Sequence, residues 1–150
     1  MIAKNNSTKI IKLKRVTAQD HKFLFDLLKE RHSSVNISHR SMPSYKQHIH
    51  FINSKPYSYW YIIMNNGKKI GSVYLSKMNE IGIFLKKEYR GNDIGHKTID
   101  LLMTKHPRKR YLANISPKNK KSKLFFKNQG FQLIQYTYEK HTGKKVKDEE

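Results

Sequence analysis

The segment that most constrains this fold runs from residue 80 to 103. The run Glu80-Ile81-Gly82-Ile83-Phe84-Leu85 passes through Lys86-Lys87-Glu88-Tyr89 into Arg90-Gly91-Asn92-Asp93-Ile94-Gly95, and a helical pattern with Ile99, Leu102 and Met103 follows. A strand that feeds a glycine-bearing loop and then a helix start sets unpaired backbone N–H groups at one end of a sheet, because the first helical turn has no earlier carbonyls to bond. Glycine at 91 and 95 lets an anion come close to those groups, which suits a pyrophosphate cradle. A glycine-rich turn with Asp93 capping the helix fits the same residues.

The chain has 150 residues, enough for one substantial core and too few for two ordinary domains. Residues 1–141 read as that domain, and the charged residues 142–150 as a solvated tail. No cysteine occurs, which excludes a disulfide framework and cysteine-ligated metal, and the eight histidines show no metal-ligand spacing. The apolar runs near Trp60 and Leu101 fall short of the roughly 20 residues needed to span a bilayer. The first seven residues are polar and lack the apolar middle of a signal peptide, so the expected location is cytoplasmic.

Lys and Arg number 31 against 11 Asp and Glu, a formal charge of +20 that draws phosphates, nucleic acid and anionic membranes alike. From residue 101 to 138 there is no carboxylate at all.

Pattern along the chain predicts alternating elements of a mixed α/β domain. Residues 10–16 read as a strand, Thr17 and Asp20 as a capping box, and Phe23, Leu24, Leu27 and Leu28 as the buried stripe of a helix. Residues 31–43 read as a long loop or a short irregular helix. Ser44 and Gln47 form a second capping box for a helix with Tyr45, His48, Ile49 and Ile52 on one face, ended before Pro56. Residues 57–64 and 70–75 read as a hairpin turned at Asn65-Asn66-Gly67. Further strands are expected at 111–115 and 131–138, with a helix at 117–129 closed by Gly130 between them.

Two motifs in order resemble the GNAT superfamily of N-acetyltransferases. Residues Arg90 to Gly95 are similar to its coenzyme A loop, and Asn119-Lys120-Lys121-Ser122-Lys123-Leu124-Phe125-Phe126 with Gly130-Phe131 to its second characteristic helix and following strand. The resemblance implies a mixed β-sheet with splayed central strands and flanking helices. It further implies acetyl-CoA as cosubstrate, with pantetheine beside Phe84 and Leu85, pyrophosphate on the N–H groups of Arg90, Gly91, Asn92, Asp93, Ile94 and Gly95, and Asn119 and Phe126 near the coenzyme. Two positions depart from the family: Asp93 stands at the first glycine of its Arg-x-x-Gly-x-Gly pattern, and Phe126 stands where many members have a proton-donating tyrosine.

The expected reaction is acetyl transfer to a primary amine by direct attack on the thioester. Glu80, the only carboxylate between Glu30 and Glu88, is the candidate base, and a salt bridge to a lysine is its alternative role. Tyr138 and Tyr111 are candidate acids, with buried structural roles as the alternative. His39, Tyr45, His48 and Trp60, with Tyr57, are candidate acceptor contacts or core residues. His96, on the first turn of its helix, is expected to be structural or to lie beside the coenzyme.

Residues 44–56 with the preceding polar run show a weaker resemblance to enzymes that acetylate nucleotide-linked amino sugars, implying an acceptor that carries a diphosphate. A homodimer is compatible with the sequence. A basic nucleic-acid-binding module and a non-catalytic coenzyme-binding regulator are the rival readings.

Overall fold

The computed structural model describes residues 10–34 and 41–145. Strand β1 (Ile11–Arg15), helix α1 (His21–Ser34), helix α2 (Tyr45–Asn53), strands β2 (Tyr59–Asn65), β3 (Lys68–Leu75) and β4 (Ile81–Leu85), and helices α3 (Ile94–Lys105) and α4 (Lys120–Asn128) follow in that order. The four strands form one antiparallel sheet in the order β1-β2-β3-β4.

Strand β2 holds the centre because it has no charge and is apolar on both faces. Tyr61 and Ile63 pack with Val73, Leu75, Ile81 and the α3 residues Ile94, Ile99 and Leu102, while Ile62 packs with Leu24 of α1 and Ile52 of α2. The β2–β3 hairpin turns at Asn66 and Gly67, both at positive φ as a two-residue turn with the sheet's twist requires. A register shift between Ile63 and Met64 turns Ile70 to the α3 face, joining Val73 and Leu75 although strict alternation would place it opposite them.

Both capping boxes form. The Thr17 N–H donates to Asp20 Oδ2 at 2.8 Å across a short 3₁₀ turn, and Ser44 and Gln47 exchange bonds of 2.8 and 3.2 Å at the start of α2. Asp20 does more than cap. It is fully buried and receives the ammonium groups of Lys14 at 3.1 Å and Lys69 at 2.6 Å, so β1, β3 and the entry to α1 meet on one carboxylate. Desolvation alone would raise its pKa, but Lys69, Thr17 and Lys14 together hold it below the ordinary value.

Two predicted strands do not form. Residues 111–115 make a single parallel bridge, Leu112 with Glu80, because pairing with β4 ends where it starts. Residues 131–138 have no strand partner among the described residues; only Phe131 is held, through an N–H bond of 2.9 Å to the Phe126 carbonyl and an edge-on contact with the Phe126 ring. No helix among the described residues is long and apolar enough to cross a membrane.

Two outcomes test this frame. Asp20→Ala should lower stability by about 2 kcal/mol in urea unfolding, the loss of charge-assisted hydrogen bonds discounted for the partial exposure of both lysines. Burial, with His21, lowers the pKa of His48, and burial with Arg108, Lys105 and Arg15 lowers that of His106. The unfolded chain therefore takes up protons near 6.5 that the folded chain resists, so stability is full above that value and lost as pH falls through the lower folded values. The urea midpoint should drop between pH 7 and pH 5, a window in which Asp20, already lowered from 3.8, contributes no change.

Candidate functional site: an open strand edge beside an aromatic cavity

Pairing between β4 and the segment that follows α3 is limited to its first residues. The Ile81 N–H donates to the Leu112 carbonyl at 2.7 Å and the Leu112 N–H to Asn79 at 2.9 Å, and from Ile83 to Leu85 that edge of β4 has no strand beside it among the described residues. An unpaired strand edge of this length suits an extended ligand bearing amide groups, which adds to it as a strand would. The side chain of Phe84 faces α1 and α2, whereas Leu85 packs on the α3 side of the core.

At the far end of β4, Gly91 (φ 78°) and Asp93 (φ 63°) take left-handed conformations and aim the loop into α3. The first-turn N–H groups of Ile94, Gly95 and His96 have no helical carbonyl four residues back. This geometry fits a doubly charged phosphate linkage.

The named loop residues divide by role. The Arg90 N–H is already spent on the Lys87 carbonyl, and its guanidinium donates to the Leu85 carbonyl at 3.0 Å, pairs with Glu30 and lies over the Phe84 ring at 4.7 Å. Arg90 thus fastens the loop to β4 and α1. Asp93 occupies the N-cap position yet makes no side-chain capping bond, so it is an exposed carboxylate at a helix start and not the cap expected of it. Asn92 is exposed in the same loop. Gly95 is buried against α4, where a Cβ would stand 2.8 Å from the Phe125 ring, so packing by itself requires a glycine there.

Asn119 and Phe126, which the resemblance implies lie near the coenzyme, take the capping and core-packing roles that these residue types equally allow. The Asn119 side chain accepts the Ser122 N–H at 3.1 Å and caps α4, and Phe126 is buried edge-on between Phe125 and Phe131. His96 bonds Gln129 and packs on Phe125, tying α3 to the end of α4.

At the near end of β4, the Glu80 carboxylate is held by the Ser76 hydroxyl at 3.1 Å and by the Asn114 amide. A cavity of about 400 Å³ lies between α1, α2 and the sheet, walled by Arg31, His48, Tyr57, Trp60, Tyr74 and Phe84 among others, with no Asp or Glu in its lining among the described residues; Glu80 stands outside that lining, close enough for its charge to act on Tyr57. His48 is buried and its Nε2 has no hydrogen-bond partner among the described residues, nor has Trp60 Nε1. Tyr45 lies elsewhere, edge-on to Phe25 at the α1–α2 junction, and His39 lies outside the described residues.

Neither predicted acid reaches Glu80. Tyr138 is 90% exposed beyond α4, and the Tyr111 hydroxyl donates to the His106 carbonyl at 2.7 Å while accepting the Arg108 N–H. Two tyrosines not proposed as acids stand there instead. The rings of Tyr57 and Tyr74 stack at 3.7 Å, and Tyr74 lies so closely over Gly82 of β4 that a Cβ at 82 would overlap it. Burial, then Tyr74, raises the Tyr57 pKa far above its ordinary value, in spite of Arg31, so Tyr57 keeps its proton as a donor. The glycine inside β4 was the available signal, because a strand-interior glycine marks close approach by another group.

An antiparallel sheet opened at one strand, with a phosphate-accepting loop at one end of that strand and a carboxylate at the other, defines an acyl-coenzyme A-binding acyltransferase. The acetyltransferase (GNAT) family profile matches residues 22–131, and the chain belongs to that family. Its membership makes acetyl-CoA the cosubstrate and acetyl transfer the reaction. No curated protein matches the chain. Among solved structures it is similar to a domain from Methanocaldococcus jannaschii DSM 2661, 22% identical with TM-score 0.76 over 87% of this chain and 94% of that one. A predicted acetyltransferase from Clostridium acetobutylicum, solved with acetyl-CoA, is 16% identical with TM-score 0.68 over 88% and 96%. The aminoglycoside N-acetyltransferase AAC(6')-Iy, solved with CoA, is 13% identical with TM-score 0.68 over 90% and 96%. At these identities the likeness is one of fold.

Asp93→Gly should relieve the left-handed strain and remove a negative charge from the loop, lowering the KM for acetyl-CoA roughly two- to fivefold in a thiol-release assay.

Proposed function

We propose that this protein transfers the acetyl group of acetyl-CoA to the primary amine of a nucleotide-linked amino sugar. The observation that carries the reading is the open edge of β4, with Glu80 at one end and the left-handed loop at the other. The amine nitrogen attacks the thioester carbonyl carbon, the N–C bond forms as the C–S bond breaks, Glu80 takes the amine proton, and Tyr74 gives a proton to the leaving thiolate while Tyr57, a weaker acid through burial, holds the Tyr74 ring by stacking. Held by Ser76 and Asn114, the Glu80 carboxylate is fixed at the start of β4, which supports the role of base.

The acceptor reading rests on charge and shape. Polycationic amines such as polyamines call for carboxylates, and the cavity lining has none, whereas Arg31 favours an anion. A second cavity of about 340 Å³ shares Tyr57 and Trp60 and adds Arg15, His21 and Lys55, again without a carboxylate. The first cavity suits the amino sugar, and the second suits the diphosphate and nucleoside. The unpartnered N–H of Trp60 is a donor that a sugar or phosphate oxygen would satisfy.

Thiol release should be measured with acetyl-CoA against a nucleotide-linked amino sugar, spermidine, an aminoglycoside and a peptide amine. Turnover of the first at tenfold or greater kcat/KM over the others supports the proposal; preference for a polycation rejects the acceptor, and release with none rejects the enzyme. Glu80→Gln should lower kcat about 100-fold with KM for acetyl-CoA little changed, and Tyr74→Phe should lower kcat about 10-fold or more.

A further inference from the structure

One carboxylate of α1 crosses to the loop that leaves β4. Glu30 Oε1 accepts the Lys87 N–H at 2.6 Å and lies 3.4 Å from the Arg90 guanidinium, contacts that span 57 and 60 residues of sequence. Lys87 opens the 3₁₀ turn Lys87–Tyr89, and the first N–H of such a turn has no earlier carbonyl within it to bond. Glu30 supplies the missing acceptor through a carboxylate, and carboxylate bonds to N–H donors are short and directional. In a chain with 31 Lys and Arg against 11 Asp and Glu, a carboxylate has many cations to pair with, so the bond to a backbone donor is the specific part of the arrangement.

Each end of that contact leads to a wall of the aromatic cavity. Leu27, Leu28 and Arg31, the α1 residues around Glu30, line the cavity of about 400 Å³. The Arg90 guanidinium bonds the Leu85 carbonyl at 3.0 Å and covers the Phe84 ring at 4.7 Å, and Phe84 lines the same cavity from the sheet. Gly91 and Asp93, which aim the loop into α3, follow Arg90 closely. Glu30 therefore sets the spacing between the phosphate-accepting loop and two walls of the cavity.

We propose that Glu30 is a positioning residue for both substrates: by its reach, and not by its charge, it holds the coenzyme loop and the α1 wall of the acceptor cavity in one arrangement. A coenzyme seated on the loop is then felt at the cavity, and the coupling is reciprocal. This role rests on the assignment of that cavity to the acceptor, and it is read with CoA alone, so the acceptor's identity does not enter the result. Glu30 touches no reacting atom. Lys86 lies over the Phe23 ring of α1 at 5.8 Å, which keeps the turn against α1 when Glu30 is replaced. Reach and charge separate cleanly by substitution. Glu30→Gln keeps the acceptor oxygen at the same distance, Glu30→Asp keeps the charge and withdraws the oxygen by one methylene, and Glu30→Ala removes both.

The cavity carries its own reporter, because Trp60 lines it and is the only tryptophan in the chain. Acrylamide quenching of Trp60 fluorescence should be measured on the full chain with and without saturating CoA, and CoA affinity by calorimetry. In the natural chain and in Glu30→Gln, CoA should change the quenching constant about twofold or more, with affinities for CoA within about threefold of each other. In Glu30→Asp and Glu30→Ala, CoA should bind about tenfold more weakly and, at saturation, leave the quenching unchanged. A role confined to fold stability would lower the melting temperature and leave the CoA-dependent change in place once CoA is saturating. A natural chain whose Trp60 ignores bound CoA, a response that survives in Glu30→Asp or Glu30→Ala, or a response lost in Glu30→Gln would each overturn the proposal. Absence of CoA binding to the natural chain would reject the coenzyme site itself, and this role with it. If Glu30→Ala fails to fold, the Gln and Asp variants decide.

Discussion

On the edge of β4 that faces residues 111–115, hydrogen bonding ends at Ile81, and the cleft exists because of that ending. Had residues 111–115 continued the pairing past Leu112, the backbone groups from Ile83 to Leu85 would be consumed within the sheet and no extended ligand could use them. The divergence needs support on both sides. On one side Arg90 bonds the Leu85 carbonyl and lies over Phe84, and on the other Tyr111 is fixed by its hydroxyl to the end of α3. Neither residue touches the reacting atoms in the proposed chemistry; both hold the gap open.

The Glu80 end of the cleft is organised by a single close contact. Tyr74 lies on Gly82, Tyr57 stacks on Tyr74, and Trp60 stands edge-on to Tyr57 at 4.9 Å. A side chain at 82 would push this stack away from β4 and from Glu80. One missing Cβ thus links the strand that offers its edge to the rings that wall the cavity between α1, α2 and the sheet.

The elements legible in the sequence were those whose information is local. Thr17 with Asp20 and Ser44 with Gln47 announce helix starts within four residues, Asn66-Gly67 announces its hairpin, and the apolar stripe of α1 follows its period. The strand, loop and helix from 80 to 105 were read in order for the same reason. Side chains whose role depends on what lies across the sheet were read less well. Tyr138 and Tyr111 have the right chemistry in the wrong place, Asn119 spends its oxygen on its own helix, and Gly95 answers to Phe125 of another helix. The strand composition of residues 131–138 was plain, but composition names a conformation and not a partner.

The amino-acid sequence alone determined the order of elements, the uncharged central strand, the loop at 90–95 and Glu80 as the only carboxylate between Glu30 and Glu88, because each is a property of neighbouring residues or of composition. Only the tertiary structure decided where β4 loses its partner, that Tyr57 and Tyr74 rather than Tyr138 stand by Glu80, and that Asp20 joins Lys14 and Lys69. These depend on register and on crossing between segments up to 49 residues apart, which no local pattern encodes.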